Sequence, residues 1–197
     1  MSEFRAYFDE GRDHILNWQF GYDHILFVCA LCALYLLHDW KRVLILVTAF
    51  TVGHSVTLAL AALNIIPINE KLIEFLIPTT IFITAFSNLF KNEENISQTK
   101  VHLNYVYALL FGLIHGMGFS NYFRTILGKD RGIISQLLAF NLGLELGQII
   151  IVVIFLTASF IFVDLFGVNR RDWKVVISSM IAGISLMLMK NNAYWTE

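Results

Sequence analysis

Charged side chains are scarce in this sequence. Asp, Glu, Lys and Arg together make up 15% of its 197 residues, whereas 57% of the residues are hydrophobic. A soluble domain usually contains about 25% charged residues, so the composition excludes a water-soluble protein and indicates a polytopic membrane protein. The net charge of −1 provides no basic surface, which argues against nucleic acid as a partner.

Cysteine is also rare, with only two residues. Cys29 and Cys32 form a C-x-x-C pair, which in a soluble protein would indicate redox or metal chemistry. Small and aliphatic residues flank both of them within an apolar run, so we interpret them as packing residues. A cleavable signal peptide is not predicted either, because residues 1–13 are rich in charge and the first apolar run is long and is followed by others.

The apolar runs predict an all-α protein, a bundle of about six transmembrane helices. Residues 1–19 mix aromatic and charged side chains and are predicted to form an amphipathic segment on the membrane surface, followed by a transmembrane domain over residues 20–190. The third span contains Pro78, a predicted kink, and is expected to be the least polar wall of the bundle. Lys and Arg are divided evenly between the two sides, so the positive-inside rule gives no orientation. The spans are predicted at about 20–37, 43–63, 72–90, 103–123, 133–157 and 175–188.

Ionisable residues occur within four of these runs. Asp23 and His24 lie near the start of the first, and His54, His115 and Glu145 lie near the middle of three others. Burying Asp at the centre of a membrane helix costs roughly 2.5–3.5 kcal/mol, so such residues are interpreted as functional. Two simpler interpretations are a wet interfacial Asp-His pair and plain hydrogen bonding between helices, at about 0.6 kcal/mol per contact. An amide would serve for such bonding without a charge, so the carboxylate favours one shared ion site.

Imidazole and carboxylate groups form a ligand set for a borderline divalent cation such as Ni²⁺, Co²⁺, Zn²⁺, Fe²⁺ or Mn²⁺. The predicted metal ligands are therefore Asp23, His24, His54, His115 and Glu145. Hydroxyl and amide side chains at helical spacing from these residues are predicted to orient the ligands and fix their tautomers. These supporting residues are Thr51, Ser55, Asn141 and Gln148.

Four ordered motifs carry a resemblance to a known family. Gly21–Phe27 (GYDHILF), Thr48–Leu58 (TAFTVGHSVTL), His115–Phe119 (HGMGF) and Phe140–Gln148 (FNLGLELGQ) resemble the HupE/UreJ family of bacterial membrane proteins. That family is associated with nickel-dependent hydrogenase and urease systems and is regarded as a nickel permease. The resemblance implies uptake of Ni²⁺ across the bacterial inner (cytoplasmic) membrane, with the five predicted ligands at the matching positions. Relatives often have a His closer to the Asp-His pair, and His14 is the further candidate ligand here.

Two classes of function remain open. A transporter would hold the ion at a midplane site reached alternately from each side, with three spans in each of two repeats. An intramembrane metalloenzyme would use the same ligands to hold Zn²⁺ with an open position and activate water against a lipid or a membrane-bound peptide. A transporter needs polar or small residues that lead from the site to both faces, and Thr48, Thr51 and Gln148 favour it. The lipid bilayer and the metal ion are the expected partners, and a homo-oligomer is left open.

Overall fold

A computed structural model of the chain describes residues 2–18, 21–66, 69–91, 101–127 and 133–193. Its eight α-helices are α1 (Glu3–Leu16), α2 (Tyr22–Cys32), α3 (Trp40–Ala62), α4 (Glu70–Leu89), α5 (Val101–Gly118), α6 (Ser120–Ile126), α7 (Ile133–Ser159) and α8 (Arg170–Asn191). A 3₁₀ turn, Leu37–Asp39, precedes α3, and a π-helical segment, Phe160–Leu165, continues α7. The predicted all-α class is confirmed.

Four helical segments of the described chain are long and apolar enough to cross a membrane. The chain is therefore a multi-pass membrane protein, but the predicted count of six spans is not confirmed. The helix α2 has 11 residues and extends about 16 Å, roughly half of the 30 Å hydrocarbon core. The predicted span at 103–123 is divided between α5 and α6. The four candidate spans are Leu37–Ala62, Glu70–Leu89, Ile133–Leu165 and Arg170–Asn191.

The helices α1 and α7 lie against each other along glycine residues. A methyl group added to Gly11 would overlap the carbonyl oxygen of Phe140, and one added to Gly147 would press against the side chain of Ile15. The two backbones are therefore in close contact, as small residues allow between membrane helices. Because the residue numbers rise together along the contact, α1 and α7 are parallel. Where residues 1–19 lie relative to a membrane surface stays a prediction.

The helices α3 and α5 form a second contact of the same kind. A methyl group at Gly53 would overlap the carbonyl oxygen of Leu109, and one at Gly116 would overlap that of His54. The residue numbers again rise together, so α3 and α5 are also parallel. This contact fixes His54 on α3 next to the end of α5, where His115 lies.

The helices α4 and α8 pair in opposite directions. The Nδ2 atom of Asn192, just after α8, donates to the backbone carbonyl of Glu74 near the start of α4. At the other end, the Nζ atom of Lys174 donates to the backbone carbonyl of Lys91, just after α4. The pair therefore extends from one end of the bundle to the other.

The start of α1 lies at the same end of the bundle as the end of α3. The hydroxyl of Tyr7 donates to the carbonyl of Ile126 at the end of α6, and Arg124 of α6 donates to the side chain of Asn64, just after α3. The helices α1 and α3 therefore run in opposite directions. Because α3 is parallel to α5, α1 and α5 also run in opposite directions. Because α1 is parallel to α7, so do α3 and α7.

The two halves of the chain thus repeat one order of helices in opposite directions, α1–α4 and α5–α8. Each half begins with a helix that ends shortly after a Gly-x-x-His sequence, Gly11–His14 in α1 and Gly112–His115 in α5. A shorter helix and two long helices follow in each half. The repeated unit contains four helices, and the prediction of three spans in each repeat is not confirmed. Repeats of opposite direction with broken helices near the site are typical of secondary transporters.

Candidate metal site

His24, the third residue of α2, lies at the centre of the candidate site. Its ring Nδ1 and its backbone nitrogen each lie 2.8 Å from Oδ1 of Asp23. Because a carboxylate only accepts hydrogen bonds, this contact keeps the proton of the neutral ring on Nδ1. The lone pair is then on Nε2, which is buried and has no hydrogen-bond partner among the described residues. A carboxylate that orients an imidazole in this way is the usual support of a metal-binding histidine.

Two groups of side chains that share His24 could hold a metal ion. The first is His14, His24 and His54, and the second is Asp23, His24 and His115; within each group the ligand atoms lie within 4.8 Å of one another. Metal–nitrogen distances of about 2.1 Å allow two ligand atoms to be about 4.2 Å apart at most, so no pair would have to close by more than about 0.6 Å on binding. The structure therefore brings together four of the five predicted ligands and His14.

His54 and His115 are buried, with exposures of 0% and 1%, so water cannot satisfy their ring nitrogens. Neither ring nitrogen of His54 has a partner within the described chain, and only Nε2 of His115 has one, the hydroxyl of Thr80 at 3.1 Å. An unpaired buried polar atom costs about 1–3 kcal/mol, and the four histidines contain five such nitrogens among the described residues. A divalent cation that receives several of their lone pairs would offset this cost.

The break between α1 and α2 explains how His14 and His24 meet. The ring centroids of these two residues are 4.8 Å apart. A side chain at Gly21 would overlap the backbone carbonyl of His14, so glycine allows α2 to begin directly beside the end of α1. The ring of His14 also lies against Phe119, with centroids 3.8 Å apart, which holds the imidazole at the break between α5 and α6. Both broken helices therefore contribute to the site.

A cavity of about 590 Å³ leads to these histidines. We call it the vestibule; its wall includes four carboxylates and three imidazoles, from Glu10, Asp13, Asp23, Glu74, His14, His24 and His115. Glu10 accepts a hydrogen bond from the hydroxyl of Tyr122 at 2.8 Å, and Asp13 pairs with Arg12. Carboxylates in a cleft raise the local concentration of cations. The vestibule therefore favours the presence of cations beside His24.

Pro78 shapes the wall of the vestibule through Glu74. Proline has no backbone N–H, so the carbonyl four residues earlier in α4, that of Glu74, loses its helical donor. The Nδ2 atom of Asn192 donates to this carbonyl at 2.9 Å instead. Asn192 and Glu74 also line a smaller pocket of about 80 Å³ that shares Asp23 with the vestibule. The position of Glu74 is thus fixed by α8.

Glu145 lies outside both metal-capable groups. Its Oε1 accepts a hydrogen bond from the hydroxyl of Thr48 at 2.7 Å, and its side chain is half-buried at the crossing of α7 and α3. One turn further along, the hydroxyl of Thr51 donates to Oε1 of Gln148 at 2.8 Å. The role of Glu145 as a ligand stays a prediction.

The other predicted supporting residues lie on the same two helices. The hydroxyl of Ser55 donates to the backbone carbonyl of Thr51 at 2.6 Å, and that of Thr51 also bonds the carbonyl one turn earlier. Among the described residues, Oδ1 of Asn141 and Nε2 of Gln148 are buried without a partner. Their role in orienting ligands stays a prediction. Cys29 and Cys32 are free thiols, half-buried and buried respectively, and neither belongs to the two groups.

Sequence analysis missed the contribution of α4, which it predicted to be the least polar wall. This prediction is wrong, because α4 buries Thr80 against His115 and places Glu74 in the vestibule. The eleven aliphatic or aromatic residues of α4 hid a polar face of only a few positions. Its one sequence signal is the helical spacing of Thr80, Thr84 and Asn88.

A comparison with known families gives one match. A family model described as HupE / UreJ protein matches residues 1–196. This range includes both halves of the repeat and all the residues of the candidate site. No curated protein and no solved structure matches the chain.

Proposed function

Because the chain belongs to the HupE/UreJ family, which points to nickel or cobalt uptake, we propose that it carries Ni²⁺ across the bacterial inner membrane through the site around His24. The ion is the substrate and does not remain as a resident cofactor. Co²⁺ is the second candidate, since it prefers the same nitrogen and oxygen ligands. Asp23, His24, His54 and His115 bind the ion, with His14 as a fifth contact and Glu145 as a further ligand from α7.

One observation carries this proposal, the meeting of four imidazoles and Asp23 inside a multi-pass membrane protein. Five ring nitrogens of these histidines are buried without a partner among the described residues, and burying polar atoms in this way is unfavourable unless an ion or ligand receives them. Nitrogen-rich ligand sets favour borderline cations over Mg²⁺ and Ca²⁺. The repeat of α1–α4 and α5–α8 supports transport, because opposite repeats allow access from either side in turn.

The direct test is metal flux. Purified full-length protein is expected to bind Ni²⁺ in titration calorimetry and, in proteoliposomes, to move Ni²⁺ across the bilayer. Empty liposomes and a His24→Gln variant serve as controls. Binding without flux would contradict transport, and binding together with hydrolysis of a lipid or a membrane-bound peptide would favour the intramembrane enzyme instead. Absence of binding would contradict both functions.

Replacing Glu74 with Gln is expected to slow Ni²⁺ uptake at low ion concentration. The vestibule collects cations through its carboxylates, and one charge fewer should reduce the initial rate about two- to fivefold at low ionic strength. The difference in rate between the variant and the wild type should shrink in high salt, because salt screens the attraction between the vestibule carboxylates and an approaching ion. The equilibrium affinity at the histidines should change little. Initial rates measured at two salt concentrations check this prediction.

Glu70→Gln is the matched control for Glu74→Gln. Glu70 lies one turn earlier on the same helix and is also exposed, but it does not line the vestibule. Its replacement changes the net charge by the same amount. Equal slowing by both variants, or slowing that is insensitive to salt, would show that the vestibule does not guide the ion.

A further inference from the structure

A stripe of polar side chains on α4 leads away from the candidate site, on the side opposite the vestibule. It consists of Thr80, Thr84, Ser87 and Asn88, which share one face of the helix by their spacing. Thr80, Thr84 and Asn88 have exposures of 3%, 9% and 1%. The stripe begins at the bond between Thr80 and His115. The hydroxyls of Thr84 and Ser87 donate to carbonyls of the same helix, which leaves the lone pairs of their oxygen atoms available to a cation.

The far end of this stripe opens into a second cavity of about 230 Å³. We call it the far cavity. Its wall is mostly apolar, and its polar residues are Tyr35, Thr84, Ser87, Asn88, Lys91, Asn104 and Tyr107. It contacts the end of α2 and the second half of α4, whereas the vestibule contacts the starts of these two helices. The two cavities therefore lie on opposite sides of the histidines along the same helices.

Aromatic rings separate the two cavities. The ring of Phe27, fully buried on α2, lies 4.8 Å from that of Phe50, 5.9 Å from that of Phe111 and 5.3 Å from that of His115, measured between centroids. We call Phe27, Phe50 and Phe111 the septum. Phe111 also lines the far cavity. An ion at His115 is thus one layer of rings away from the far cavity.

Lys91 lies at the outer side of the far cavity. Its Nζ atom lies 3.5 Å from Oδ1 of Asn88 and 3.4 Å from Oδ1 of Asn104. Both contacts are long for hydrogen bonds, so they are easily exchanged. The two amide oxygens that receive the ammonium are also suitable for a divalent cation, and a departing ion would compete with Lys91 for them.

We propose that Ni²⁺ leaves the histidine site along the α4 stripe, from Thr80 past Thr84 into the far cavity, and that the septum closes this exit in the present structure. The inference rests on the proposed transport function. It assigns two states to the protein. In the present state the vestibule is open, and the septum and Lys91 close the far side. In the second state the rings of the septum have separated. The oxygen atoms of the stripe replace part of the ion's hydration as it passes.

A replacement of Thr84 by Val tests the stripe. Valine keeps the shape and removes the hydroxyl, so Ni²⁺ flux is expected to fall about tenfold, the equivalent of one hydrogen bond to a charged group. The Ni²⁺ affinity of the purified protein should stay unchanged, because Thr84 does not contact the histidines. Thr79→Val is the matched control. The hydroxyls of Thr79 and Thr84 bond the carbonyl one turn earlier at the same 2.8 Å, but Thr79 does not line either cavity.

Accessibility of introduced cysteines tests the route without depending on flux. Cys29 and Cys32 are first replaced by Ala in the full chain, and single cysteines are then introduced as Thr84→Cys and Tyr122→Cys. A charged, membrane-impermeant thiol reagent applied to oriented proteoliposomes should modify the cysteine at 84 from one face and that at 122, in the vestibule, from the other. Adding Phe111→Ala should accelerate modification at position 84, whereas Phe86→Ala, at a residue 46% exposed on the outside of α4, should not.

The outcomes separate this inference from the proposed function. Equal flux in Thr84→Val and Thr79→Val, or modification of positions 84 and 122 from the same face, would overturn the exit route while transport and binding stand. Protein that binds Ni²⁺ but does not move it would overturn transport, and the accessibility result would still decide whether the route exists. Opposite-face modification together with a flux defect limited to Thr84→Val supports the route.

Discussion

Replacing His24 with Gln is expected to reduce Ni²⁺ affinity about 100-fold or more and to abolish flux. His24 belongs to both metal-capable groups, so its loss removes one ligand from either way of holding the ion. Loss of a residue that merely supports a ligand already costs about 10- to 100-fold in affinity, and a shared ligand should cost at least as much. Titration calorimetry and proteoliposome flux, measured on the same preparation, check this prediction.

His38→Gln is the control for a general effect of losing a histidine. Its side chain is 70% exposed and pairs with Asp39, away from the site, so its replacement should leave affinity and flux unchanged. If His24→Gln bound Ni²⁺ as tightly as His38→Gln does, the ion would not be held at the four histidines. The site would then have to be placed elsewhere in the chain.

Variants of the remaining histidines distinguish the two groups. His14→Gln removes a ligand only from the group with His54, and His115→Gln only from the group with Asp23. A larger loss of affinity in the first variant would assign the ion to the three imidazoles. A larger loss in the second would assign it to the side of Asp23, nearer to the α4 stripe.

Much of the site could be predicted because ionisable residues in apolar runs are costly wherever they lie. That argument needs only the composition of each run, and it identified Asp23, His24, His54 and His115 without knowledge of the packing. His14 was predicted less directly, because eight residues separate it from Asp23. Gly21 brings them together, because it lets α2 begin beside the end of α1. This contact is between two helices, so residue spacing along one helix does not predict it.

The predictions that are wrong or not confirmed have the same physical origin. A count of spans from hydropathy assumes that each apolar run is one straight helix, whereas the first run forms the 11-residue helix α2 and the run at 103–123 is divided between α5 and α6. The polar face of α4 was missed because three or four small polar residues do not lower the hydropathy of a 20-residue helix enough to be noticed. For Glu145, at mid-helix on α7, the sequence indicates the depth in the membrane but not the direction around the helix, so its place among the ligands stays a prediction.

The second large effect is expected from Gly112→Ala, which should prevent stable packing of α3 against α5. The added methyl group would overlap the backbone carbonyl of Phe50 and lie 3.1 Å from the backbone nitrogen of His54. Backbone atoms on a packed helix cannot move aside as a side chain can, so the two helices must separate. Overpacking of a core costs about 1–3 kcal/mol, and a rigid neighbour places this case at the upper end, about 3 kcal/mol. A protein of this size should then melt roughly 10 °C lower.

Gly183→Ala is the matched control for Gly112→Ala. A methyl group at Gly183 meets no atom within 4 Å, and alanine favours helix by up to about 1 kcal/mol over glycine, so this variant should melt at the same temperature as the wild type or slightly higher. Thermal melting in detergent and Ni²⁺ affinity measured together make the test decisive. Because the α3–α5 contact holds His54 beside His115, the Gly112→Ala protein should lose Ni²⁺ affinity at temperatures where it is still helical by circular dichroism. Unchanged melting and binding in Gly112→Ala would mean that α3 and α5 are not in backbone contact, and the positions of both histidines would then be wrong.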